Sequence, residues 1–321
     1  MTDTTALRPA ALDRARVLQW LQNYGVYAGV VALIVVNIAV TPHFLSAENF
    51  RTQAVQVAPV IIVALGMALA IGTEGIDLSV GAVMALSASV LALYLGYGLL
   101  PALLVVAFFA AAVGLANGAL VAFVGVQPIV ATLALMVAGR GIALVLLPQL
   151  EDIRNPAMAS LGSGALFGVP YLMLIAAALA LAVAFVVRRT TFGRQLLAIG
   201  DNRTAAQLAG LPVRRVLTLV YVGCALLAAV AGVLATARLQ ASDPTSLGTL
   251  MELSAITAVV VGGTPLSGGR VRIAGTVAGA VLIQLLTATL IKHDLPPSWT
   301  QIAQAVVIVL AVYAARGRGK R

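Results

Sequence analysis

The chain has 321 residues, 61% hydrophobic and only 10% charged, with a formal net charge of +9 at pH 7. A mean hydropathy of +1.04 excludes an ordinary soluble domain, whose surface needs roughly a quarter of its residues charged. The expected fold class is an all-α polytopic membrane protein, and the one cysteine, Cys224 in VGCALLAAVAG, excludes an intrachain disulfide and reads as a buried thiol.

In chain order, apolar runs long enough to cross a ~30 Å hydrocarbon core fall at about 24–41, 54–72, 78–96, 101–125, 129–147, 165–187, 216–237, 246–262, 273–291 and 299–315. Residues 1–23 ahead of them are polar, carry three arginines and precede a segment without a small-x-small cleavage pattern. They read as a cytoplasmic tail before a retained first helix. Residues 24–315 read as one membrane domain, and 316–321, RGRGKR, as a basic cytoplasmic tail. The eighth run is the irregular one: its uncharged part, LSAITAVVV, is too short to span, so either Glu252 enters the membrane or the helix breaks at Gly262 and Gly263.

With the N-terminus inside and ten crossings, 15 of the 20 basic residues face the cytoplasm and four, Arg51, Arg154, Arg238 and Lys292, face outward. Arg140 remains inside the fifth run. Positive residues concentrate on the cytoplasmic side of membrane proteins, so ten helices with both termini cytoplasmic is the expected topology. The basic residues are divided among separate loops, which argues for topology and inner-leaflet attraction and against nucleic acid.

Between the second and third runs, GTEGIDLSVGAVMAL places Glu74 and Asp77 three residues apart. Asp77 before LSVGAVMAL suits a helix start, where a carboxylate accepts free N–H groups and complements the positive helix end. The alternative is a solvated pair or an ion-coupling site. The longest cytoplasmic loop, RRTTFGRQLLAIGDNRTAAQLAGLPVRRV at 188–216, offers Asp201 and Asn202 as N-caps of a short helix TAAQLA, which Gly210 and Pro212 stop. That is a docking surface, or a loop that merely sets topology.

Polar groups within or beside the apolar runs are candidates for a translocation path: Asn117, Gln127, Arg140, Glu252 and Gln284. Arg140 either lines such a path or pairs with Glu151 or Asp152. Hydrogen bonds between helices need the same uncharged residues. His43 and His293 lack metal-site spacing. A phosphate-binding loop needs Lys followed by Ser or Thr, but Lys292 precedes His293 and Lys320 precedes Arg321. Neither a catalytic residue nor an ATP site is expected in this chain.

The motifs GIDLSVGAVMAL, AAQLAG followed by LP, and ELSAITAVVVGGTPLSGGR resemble the permease family of bacterial ABC importers for ribose, xylose, arabinose, galactose and related sugars. The stretches VQPIVATLALMVAGRGIA and LPPSWTQIAQAVVIVLAV are similar to the galactofuranose-importer branch of that family. The resemblance covers about residues 54–315. It implies a multi-pass subunit of the bacterial inner membrane that pairs with itself or a sister permease, receives a monosaccharide from a periplasmic binding protein, and is driven by separate ATPase subunits that hold ATP and magnesium.

Carried onto this chain, the resemblance makes Gly75, Asp77, Ser79 and Gly81 a signature turn, and Asp201, Asn202, Ala205, Ala206 and Gly210 the ATPase-coupling loop within 188–215. Two positions depart from the pattern: Glu74 stands where the family often has Gly, and Thr204 where the broader importer motif has Glu. The competing function is an ion-coupled secondary transporter using Asp77, Glu74 or Glu252.

Overall fold

The structure is a computed structural model that describes residues 9–315; residues 1–8, with Arg8, and the basic tail 316–321 lie outside the described residues. In chain order the helices are α1 (Pro9–Val40), α2 (Ala47–Gly72), α3 (Val80–Tyr94), α4 (Leu99–Ala119), α5 (Pro128–Leu146), α6 (Pro156–Ser163), α7 (Tyr171–Arg189), α8 (Thr191–Asp201), α9 (Arg203–Leu208), α10 (Val213–Leu239), α11 (Met251–Val261), α12 (Ile273–Lys292) and α13 (Pro297–Ala315). A 3-10 turn, Leu95–Tyr97, follows α3, and a π turn, Leu120–Val124, follows α4. Strands β1 (Glu151–Asp152) and β4 (Ala241–Ser242) pair antiparallel, as do β2 (Ala165–Leu166) and β3 (Val169–Pro170).

Seven helices among the described residues are long and apolar enough to cross a membrane, and the shorter stretches Tyr24–Val40 and Met251–Val261 are also apolar. Each of the ten apolar runs is helical in its greater part. Two boundaries differ from the sequence expectation. Helix α1 begins at Pro9, inside the expected 1–23 tail, and residues 165–170 form the β2–β3 hairpin instead of the first turns of α7.

Helix α2 lies at the centre, packed against α10, α12, α11 and α7. Ser46 Oγ accepts the Asn49 N–H at its start (3.2 Å), and Glu48 complements the positive end of its dipole. From Val57 to Gly72 it is apolar all round and almost wholly buried, as a helix without a polar face must be. On α4, α5 and α7 the outward side chains are apolar instead: Leu104, Phe108, Val137, Val145, Leu181 and Phe185 are exposed and form a lipid-facing surface.

The eighth run departs furthest from a regular crossing. Helix α11 has 11 residues, about 16 Å at 1.5 Å per residue, roughly half of what a bilayer core needs. Yet the chain passes from one end of the bundle to the other between Ser242 and Gly262. Ser242 pairs with Glu151 beyond the end of α5, whereas Gly262 packs on Gly275 in the first turn of α12. Non-helical residues 243–250 complete the passage, and both expected irregularities occur together: Glu252 enters the bundle and the helix ends at Gly262.

Candidate functional site

The first interruption follows α2. Thr73 Oγ1 donates to the Ala70 carbonyl (2.8 Å), and the chain then turns back into the bundle through residues 73–79. Glu74 is exposed with φ 63°, a left-handed conformation that a glycine adopts at no steric cost. Asp77 is fully buried, and its Oδ1 accepts both the Ser79 N–H (2.9 Å) and the Ser79 Oγ–H (2.6 Å). Asn117 Nδ2 of α4 donates to Ser79 Oγ (2.9 Å), and Thr132 Oγ1 of α5 accepts the Leu78 N–H (3.1 Å). Asn117 and Thr132 thus tie the start of α3 to α4 and α5, while Asp77 braces the turn just before the Ser79 cap; its full burial removes the solvated-pair reading. Glu74 and Asp77 do not act as a pair, one being exposed and the other enclosed.

No basic side chain lies within ion-pair distance of Asp77 among the described residues, where Arg154–Asp152, both exposed, is the one ion pair. Asp77→Asn keeps the Oδ1 acceptor and is expected to leave the pH profile of transport unchanged. Uptake measured between pH 5.5 and 8 checks this; a displaced or abolished profile would make Asp77 an ion carrier.

The second interruption, 243–250, packs directly on the first. A Cβ on Gly81 would stand 2.3 Å from the Gly248 carbonyl oxygen and 2.7 Å from a Glu252 carboxylate oxygen, so only glycine permits this approach. Arg140 does not pair with Glu151 or Asp152. Its Nη1 reaches across from α5 and donates to the carbonyls of Pro244 (2.8 Å) and Leu247 (2.7 Å), with Glu252 and Asp243 nearby supplying negative charge. A half-buried guanidinium therefore fixes the turn whose carbonyls have no helix to satisfy them. At the outer edge of this turn, the hydroxyls of Thr245 and Ser246 donate to the half-buried Asp243 carboxylate (2.5 and 2.6 Å).

At the end of the bundle where α2 stops, α8 and α9 lie outside the spanning helices. Asn202 Oδ1 accepts the Ala205 N–H (2.9 Å) and caps α9, while Asp201 is the last residue of α8. Ala206 is buried beneath α9, Leu208 on its outer face is 86% exposed, and Gly210 takes φ +75° to end it. Three chain segments meet here without side chains between them. Gly269 N–H donates to the Gly72 carbonyl (3.1 Å). A Cβ on Gly200 would stand 1.9 Å from that same oxygen, and one on Gly268 would stand 2.6 Å from the Gly200 carbonyl.

The remaining path candidates do not converge. Gln127 occupies the N-cap position of α5, exposed and with no side-chain capping bond. Gln284 of α12 instead meets α2, donating through Nε2 to Gln56 Oε1 (2.7 Å) and more weakly to Gln53 Oε1 (3.4 Å). Above it, Lys292 Nζ donates to Asn49 Oδ1 (2.9 Å). Sequence reasoning passed over Asn49, Gln53 and Gln56; the signal available was the three-residue spacing of the two glutamines, which places them on one helix face.

The chain matches the family model described as branched-chain amino acid transport system / permease component over residues 49–312. It is 37% identical over 312 residues to the galactofuranose transporter permease protein YtfT of Escherichia coli (strain K12), covering 94% of this chain and 92% of that protein. It is 36% identical over 300 residues to the ribose import permease protein RbsC of the same strain, covering 91% and 93%. To the fructose import permease protein FruF of Bifidobacterium longum (strain NCC 2705) it is 36% identical over 267 residues, covering 81% and 75%. No solved structure matches.

Proposed function

Because the chain belongs to the branched-chain amino acid transport system / permease component family, we propose that it imports a monosaccharide, as the membrane-spanning subunit of an ATP-driven ABC importer. The observation that carries this is the likeness over more than nine-tenths of the chain to permeases for galactofuranose and ribose. It is a multi-pass protein of the bacterial inner membrane and leaves ATP hydrolysis to a separate subunit. The same likeness favours ATP-driven import over ion coupling through Asp77, Glu74 or Glu252. Among sugars, a pentose or hexose of the galactofuranose or ribose kind is the proposed cargo.

In this reading the chain crosses ten times, with both termini cytoplasmic and the short α11 completing its crossing with residues 243–250. The end that gathers Gly72, Gly200 and Gly269 is then cytoplasmic, as the many arginines of 188–215 and of 270–272 require. The α8–α9 region receives the ATPase, which holds ATP and magnesium; an exposed apolar Leu208 beside a buried Ala206 suits a helix seated in a partner's groove. A periplasmic binding protein delivers the sugar to the opposite end, and a second permease, identical or sister, completes the pathway.

The test is purification of the tagged chain in mild detergent from the cells that encode it, with mass spectrometry and an ATPase assay of what co-purifies. The expected result is a stoichiometric ATPase that proteoliposomes couple to sugar uptake. An ATPase-free oligomer that moves solute on an ion gradient would sink the proposal.

A further inference from the structure

The polar groups between α2 and α12 form a cleft that the signature turn, the coupling loop and the Arg140 clamp do not use. Its volume is about 380 Å³, and its walls include His43, Thr52, Gln53, Gln56 and Lys292. That size falls within the roughly 300–1,000 Å³ range of small-molecule sites. Gln56 lies nine residues after Ala47, about 13 Å along α2, and Gln284 lies a similar distance before the end of α12. The cleft therefore runs from the end of the bundle bearing residues 41–46 and 293–296 towards mid-membrane depth.

The chemistry changes along it. At the mouth stand Glu48, Lys292 and His43; deeper in, the uncharged Gln53 and Gln56 line the cleft, and Gln284, bonded to Gln56, stands directly behind them. Gln53, Gln56 and Gln284 are all half-buried. One carboxamide bond would suffice to join the two helices, but this cluster leaves the amide N–H groups of Gln53 and Gln56 and the Oε1 of Gln284 without a hydrogen bond among the described residues. Donors and acceptors thus alternate over a few ångströms beside an open volume. A sugar hydroxyl is both donor and acceptor, and an uncharged floor matches it while giving a charged solute no counter-charge.

We propose that Gln53, Gln56 and Gln284 form a hydroxyl-recognition subsite for a neutral monosaccharide in the outer half of the path, loaded from the end that bears Lys292. The proposal rests on the importer reading above. The subsite exchanges the water around two or three hydroxyls for amide partners as the sugar leaves its delivery protein, and it influences which sugar passes.

The experiment uses the complete importer in proteoliposomes with radiolabelled D-galactose, D-ribose and D-fructose. Gln56→Leu and Gln284→Leu are expected to lower uptake at least tenfold, with most of the loss in KM, while ATPase activity per complex and melting temperature stay within twofold and about 3 °C of wild type. Gln56→Asn is expected to change the ranking of the three sugars. A variant with Gln53→Cys is expected to react from outside with a membrane-impermeant thiosulfonate, at least threefold more slowly with saturating transported sugar; the native Cys224 is buried and adds no background.

Lowered stability with unchanged sugar ranking and no sugar protection would make the glutamines an interhelical tie and overturn the subsite. Full uptake by both leucine variants would overturn it as well. A wild-type complex that binds ATPase but imports none of the sugars would sink the monosaccharide reading itself, and the subsite with it.

Discussion

Gly200→Val is expected to reduce sugar uptake at least 100-fold while the ATPase still co-purifies. The reason is contact between main chains. The added Cβ would stand 1.9 Å from the Gly72 carbonyl oxygen and 2.7 Å from the Gly269 nitrogen, the two groups that hydrogen-bond each other at 3.1 Å. Real Cβ atoms essentially never approach closer than 3.0 Å, so α8 must lift or the end of α2 must shift by roughly an ångström or more. Overpacking of this kind costs about 1–3 kcal/mol. The functional loss is expected to exceed the stability loss because this junction joins α8 and α9 to the end of α2 and to the α11–α12 connection, the segments that a docked ATPase would move on the proposed reading. Leu196 and Ile199 remain buried and keep α8 on the bundle, so the chain still inserts. Gly223→Ala is the control, since nothing lies within 4 Å of its Cβ position. Uptake, ATPase activity and co-purification are measured on the same preparations; uptake above a third of wild type in Gly200→Val would mean that the junction does not transmit motion.

Arg140→Leu is expected to lower uptake about 10- to 100-fold by a different route. Nη1 of Arg140 serves the carbonyls of Pro244 and Leu247, and a buried acceptor left without its donor costs about 1–3 kcal/mol. Glu252 and Asp243 lose their neighbouring positive charge at the same time. The 243–250 turn, which presses Gly248 onto Gly81, then has no fixed position over the start of α3. Thr245→Cys in the Arg140→Leu background is expected to react with a thiol reagent several-fold faster than in the parent, and Arg140→Lys is expected to restore part of the uptake because an ammonium can donate to both carbonyls. Equal labelling rates with lost uptake would instead assign Arg140 a direct contact with the cargo.

Both effects depend on groups that the sequence exposes unequally. Arg140 was visible as a cation inside an apolar run, read either as lining a path or as paired with the nearby carboxylate Glu151 or Asp152. The partners found are backbone oxygens 104 and 107 residues away, and a carbonyl carries no residue identity. Asn117 was open to a path role or to a hydrogen bond between helices, and the bond it makes is to Ser79. Asp77 was visible as a helix-start residue from its position before LSVGAV; its complete enclosure depends on helices elsewhere in the chain.

By itself the sequence determined the membrane solvent and the approximate positions of the helical runs, and it narrowed the cap of α9 to Asp201 or Asn202, of which Asn202 is the one used. Each of these depends on quantities that are local in the chain: the length of an apolar run, the density of arginines, and an oxygen three residues ahead of a free N–H. Only the tertiary structure decided that α11 spans half a bilayer, that Gly72, Gly200 and Gly269 share one junction, and that Gln284 meets Gln56 across 228 residues. These contacts join distant segments through backbone atoms, glycines and carboxamides, whose identities state that close approach or hydrogen bonding is possible without stating with what.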